Sequence, residues 1–102
     1  METPLEKLNA KTFAEHLHTK FKVRHDNSTV ELELAEVTER DLSPKVELFL
    51  LVFHGPTAPR LPQQILRLEH ENLGTILIFL TAIAGDEEGI SYEAVFNRIR
   101  KK

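Results

Sequence analysis

The chain has no cysteine, no tryptophan, one methionine and only four glycines in 102 residues. Without cysteine there is no disulfide, no thiolate nucleophile and no thiolate metal site. The glycines, Gly55, Gly74, Gly85 and Gly89, all stand in turn-like contexts, so there is no glycine-rich cradle for a phosphate. Long apolar runs are missing too; none approaches the ~20 residues of a membrane-spanning helix. The opening Met1-Glu2-Thr3-Pro4-Leu5-Glu6-Lys7 lacks a basic region followed by an apolar one. No signal peptide and no membrane partner are therefore expected, and the cytoplasm is the expected location. A net charge of −3 is the wrong sign for a protein whose main partner is nucleic acid.

What is present fits one globular domain over residues 1–102, with a lead-in at 1–8 and a basic tail at 98–102. The composition, 41% hydrophobic and 28% charged, is ordinary for such a domain. The most informative stretch is Val46–Phe53. As a strand it is apolar on both faces: Val46, Leu48, Leu50 and Val52 on one, Phe49, Leu51 and Phe53 on the other. Such a strand must be covered on both sides.

Asn9 reads as a helix N-cap, because its side-chain oxygen can accept from the free amides of a first turn. Ala10, Phe13, Ala14 and Leu17 then share one helical face. A helix of about nine residues does not persist alone and must dock. From Lys20 the period becomes two. Phe21 and Val23 form one strand, Asp26-Asn27-Ser28 a turn, and Val30, Leu32 and Leu34 the next strand. The phase slips before Val37, and a β-bulge at Leu34-Ala35 would return Val37 to the core face. Residues 38–45 read as a polar connection. After Val46–Phe53 comes a loop, His54–Gln63, stiffened by Pro56, Pro59 and Pro62. Gln64–His70 alternates around Leu66 and Leu68. Thr75–Ile83 repeats the two-faced pattern, and Ile90, Tyr92, Ala94 and Phe96 line a last strand. These six strands with short connections predict a mainly β (α+β) fold. The expected form is an antiparallel meander curled into an open barrel, with one short N-terminal helix packed on it.

Chemistry is harder to find. His16 and His18 point apart on a helix. His25, His54 and His70 fall at strand or turn ends with no metal-ligand spacing. Glu69-His70-Glu71 alternates faces on a strand and reads as a polar strand end. No serine stands in a nucleophile elbow. No catalytic residue, metal or cofactor is expected.

Phe49, Leu51, Phe53, Gly55 and Pro56, then Leu61-Pro62-Gln63, Leu68-Glu69-His70, Phe79-Leu80 and the closing Tyr92-Glu93-Ala94-Val95-Phe96-Asn97 resemble a family of small bacterial proteins of unknown function. The resemblance runs from about Leu8 to Asn97 and implies a stand-alone bacterial domain, with relatives near phage-tail-like proteins. This chain departs from the family pattern at His18 and Gln64, where similar sequences prefer glycine.

The functional expectation is a non-enzymatic interaction or structural module. It would use an apolar sheet surface to bind a protein partner or a second copy of itself. The candidate surface is Phe49, Leu51, Phe53, His54, Arg60, Leu61, Gln63 and Phe79. Alternatives are a binder of a small apolar ligand inside the curled sheet, or a phage-tail-associated or immunity-type accessory protein. The apolar surplus of the two-faced strands motivates the first reading, since one short helix cannot cover both.

Overall fold

A computed structural model describes residues 3–4, 8–25 and 27–99, and of residues 41–43 and 98 the backbone alone. Asp26 of the first turn and the end of the basic tail, residues 100–102, lie outside the described residues. The elements are α1 (Ala10–Ala14), β1 (Lys20–His25), β2 (Ser28–Ser43), β3 (Val46–Gly55), β4 (Gln64–His70), β5 (Gly74–Asp86) and β6 (Gly89–Ile99). The protein is mainly β with one short helix, and every strand pair is antiparallel.

The strand order is not that of a simple meander. The sheet runs β1-β2-β3-β6-β5-β4 and closes back on β1 as a barrel. Closure rests on a narrow seam, Lys22↔Glu69 and Val23↔Leu68, so the expected open barrel is shut. β6, not β4, takes the place beside β3. Its register matches β3 along its whole length, with Phe49↔Phe96, Leu51↔Ala94 and Phe53↔Tyr92 meeting on the inner face. Such cross-strand aromatic and aliphatic pairs are the unit of sheet stabilisation. β4 therefore lies across the ring from β3, and residues 56–63 carry the chain over one mouth. Leu61 in that crossing is buried, and its N–H donates to the Tyr92 hydroxyl at 2.9 Å. Tyr92→Phe leaves that buried amide without its acceptor. Thermal or denaturant unfolding should show a loss of about 1–2 kcal/mol.

The other mouth is plugged by α1. Asn9 caps it as expected, its side chain accepting from the Thr12 N–H at 2.9 Å. The helix is shorter than its periodicity suggests, because residues 15–18 turn away, and Ala14 is exposed. Phe13 is fully buried. Its ring lies 6.1 Å from that of Phe49 and 6.0 Å from that of Phe96, while Phe49 and Phe96 stack at 4.6 Å.

The slip in β2 is real. Pairing jumps from Leu34↔Phe53 to Glu36↔Val52, leaving Ala35 as the extra residue, and Val37 packs against the core. The sequence's polar connection at 38–45 is instead mostly strand: β2 continues to Ser43, held by its ladder with β3. Likewise residues 98 and 99, assigned to the basic tail, continue β6.

His18 stands at φ 67, the left-handed region that glycine enters without penalty. This is one of the two positions at which the resemblance in the sequence implies glycine. Gln64, the other, simply opens β4. His18→Gly should therefore raise stability, by up to about 1 kcal/mol in a denaturant titration, since the exposed pairing of His18 with Glu33 contributes little.

Candidate functional site

The inner face of the ring is full. Phe21, Phe49, Phe53, Leu32, Leu34, Leu51, Leu68 and Leu80 are all completely buried. This corrects the candidate surface read from the sequence. Phe49, Leu51 and Phe53 face the core and cannot meet a partner, and Leu61 is sealed into the mouth. His54, Arg60, Gln63 and Phe79 are exposed. His54 faces Ser91, with Nδ1 and Oγ 3.3 Å apart. Arg60 and Gln63 flank the buried Leu61 on the crossing loop. The eight residues therefore do not form one surface.

The parity of β3 shows where the apolar surplus goes. With Phe49, Leu51 and Phe53 inside, Val46, Leu48, Leu50 and Val52 point outward and are half-buried. Strand pairing extends this face sideways in rows. Thr38, Leu50 and Val95 form one row across β2, β3 and β6. Arg40, Leu48 and Asn97 form the next row toward the β2–β3 hairpin, and Glu36, Val52 and Glu93 the row on the other side. Val46 and Ile99 pair at the hairpin end. Val95 is 56% exposed and Ile99 78%. A second exposed pair, Ile65 opposite Phe79, lies on the outer face of β4 and β5.

No described element lies across these rows. α1 occupies a mouth with Phe13 turned inward, and the 56–63 crossing occupies the other. Both segments are thus spent on the mouths of the ring.

Titratable groups gather elsewhere. At the mouth beside α1, His70 is buried. Its Nδ1 accepts from the Asn72 N–H at 3.0 Å and the Leu73 N–H at 3.2 Å. That leaves the proton on Nε2, 2.8 Å from Thr19 Oγ1, whose hydroxyl donates to the His16 carbonyl at 2.6 Å. The His16 ring meets His70 edge-on at 5.0 Å, and Phe21 lies 4.4 Å away. Burial above all, and His16 next, hold the His70 pKa below the ordinary histidine value, against a smaller opposing pull from Glu71. The sequence reading missed this residue as a core member. The signal was present, since His70 shares the face of Leu66 and Leu68 on β4.

Two of the open grooves flank β1. One, of about 630 Å³, runs between Lys20, Lys22, Glu31, Glu33 and the start of the crossing loop. The other, of about 640 Å³, lies where β1 and β4 diverge beside His70. Both are lined in large part by charged and polar residues, whose aliphatic stems share the wall. Among the described residues, no group of three His, Asp or Glu side chains could hold a metal ion. No described helix is long and apolar enough to cross a membrane.

A plugged, six-stranded antiparallel ring, with an apolar outer face that no described element covers, is the class of protein defined by these features. The chain belongs to a family described as a domain of unknown function, DUF6916, whose match spans residues 8–96. No curated protein and no solved structure matches it significantly.

Proposed function

We propose that this protein is a non-enzymatic interaction module that docks through the outer face of β3 and β6. The observation that carries this reading is the outward row of Val46, Leu48, Leu50 and Val52, continued by exposed Val95 and Ile99. A contiguous apolar strip flanked by charged and polar side chains marks an interaction site more often than a solvated face. It supports assembly with a protein surface of matching flatness, by sheet-on-sheet or helix-on-sheet packing. The packed interior counts against the reading as a ligand chamber. Phe13 fills one mouth, Leu61 and Tyr92 close the other, and the aromatic rings fill the space between.

The test is the size of the protein in gentle lysates of cells making it at its natural level. The wild type should elute well above its monomer mass of 11.7 kDa. Leu50→Lys, at an outward and half-buried position, should fold normally by circular dichroism and elute as the monomer. Co-elution of wild type and variant at the monomer position would overturn the reading.

A further inference from the structure

We infer that the occupant of this outer face is a second copy of the same chain, packed face to face about a two-fold axis along the row Thr38–Leu50–Val95. This inference rests on the interaction reading and goes further by naming the partner.

The argument is charge complementarity. One register step to one side of the axial row, β2 presents Arg40; one step to the other side, it presents Glu36. Both side chains are exposed, and neither has an ion-pair partner among the described residues. A two-fold axis along the row lays β3 antiparallel on its copy and superposes each flanking row on the opposite row of the partner. Arg40 then meets Glu36 of the second copy, twice over by symmetry, and Leu50 packs on Leu50. On β6 the same operation sets Glu93 against Asn97 of the second copy, with no like charges opposed. The other in-plane axis, parallel to β3, would place Glu36 against Glu93 of the copy, a like-charge contact that costs rather than gains. The charges therefore select a second copy and one orientation of it. Val95 and Ile99 lie in the same face, so closing it removes the most exposed apolar side chains of β6 from water.

Sedimentation equilibrium on the purified protein tests this. The wild type should sediment as a dimer, twice 11.7 kDa. Glu36→Arg alone and Arg40→Glu alone should each weaken dimerisation by about tenfold or more, since each sets like charges opposite one another. The double swap carrying both substitutions should restore wild-type affinity, which no partner other than a copy in this orientation can produce. Recovery in the double variant supports the inference. A purified monomer overturns it, and so does a dimer indifferent to the swaps. A purified monomer that is nonetheless large in the native lysate would leave the interaction reading standing and remove only the second copy.

Discussion

Phe49→Ala is expected to cost about 3–5 kcal/mol, read as a fall in the denaturation midpoint. Phe49 is wholly buried, stacks on Phe96 at 4.6 Å and supports Phe13, the side chain that plugs the α1 mouth. Truncation removes the transfer energy of a phenyl ring and leaves a cavity that stiff strands on either side cannot collapse into. It also takes the floor from beneath a helix of five residues that has no stability of its own. The loss should therefore appear twice: in global unfolding, and as faster amide exchange in residues 10–14. Phe79→Ala is the contrast. Phe79 is 50% exposed on the outer face, and its loss should change stability of the isolated chain by less than about 1 kcal/mol. Equal costs at the two positions would mean that the inside and outside of the ring are wrongly assigned.

His70→Leu is expected to cost about 2–4 kcal/mol, because it strands the amides of Asn72 and Leu73 and removes the Nε2–H that the Thr19 oxygen accepts. His70→Asn should recover part of this, since a short side-chain oxygen can accept from amides two and three residues on. The pH dependence follows from the same geometry. Protonation of Nδ1 would set an N–H against two N–H donors, and burial opposes the charge, so the folded-state pKa lies below the unfolded value. A depressed histidine pKa means the unfolded chain binds the proton first. The contribution of His70 is therefore complete above about pH 6.5 and is lost as pH falls from there toward the folded-state pKa. The slope of the loss is at most ~1.4 kcal/mol per pH unit. Stability of wild type minus that of His70→Asn, followed from pH 8 to 5, isolates this residue from the other histidines. A difference that stays flat would show that folding leaves the His70 pKa unshifted, and one of opposite slope that the fold favours the charged ring.

Most of this architecture is legible in the chain because strand parity is local. Alternation at Phe21/Val23, Val30/Leu32/Leu34, Leu66/Leu68 and Ile90/Tyr92/Ala94 marks the inner faces correctly, and one phase error before Val37 is enough to locate the bulge at Ala35. Asn9 announces its helix by chemistry that needs no tertiary context. Two things are not local. The first is the choice of neighbour: nothing within Val46–Gly55 says that its partner is β6 rather than β4, because that depends on matching ten residue pairs more than thirty positions away. The second is which side of a two-faced strand is inner. Both faces of β3 are apolar, so pattern alone cannot rank them. The larger rings went inward because they meet Phe13, Phe96 and Tyr92 there. The candidate surface drawn from sequence took the wrong side of β3 for that reason, while Phe79 on β5 was placed correctly on the outside.

The outward sides of β3 and β5 are thus what remains of the apolar surplus once both mouths are plugged, and coverage of the β3 side by another chain is the central claim. Carbene footprinting of the assembled fraction, compared with the same protein diluted to monomer, measures it directly. Val95, 56% exposed in the single chain, and Leu50 beside it should be labelled several-fold less in the assembly, while Arg60 on the crossing loop is labelled equally in both. Unchanged labelling of Val95 and Leu50 between the two states would contradict the claim.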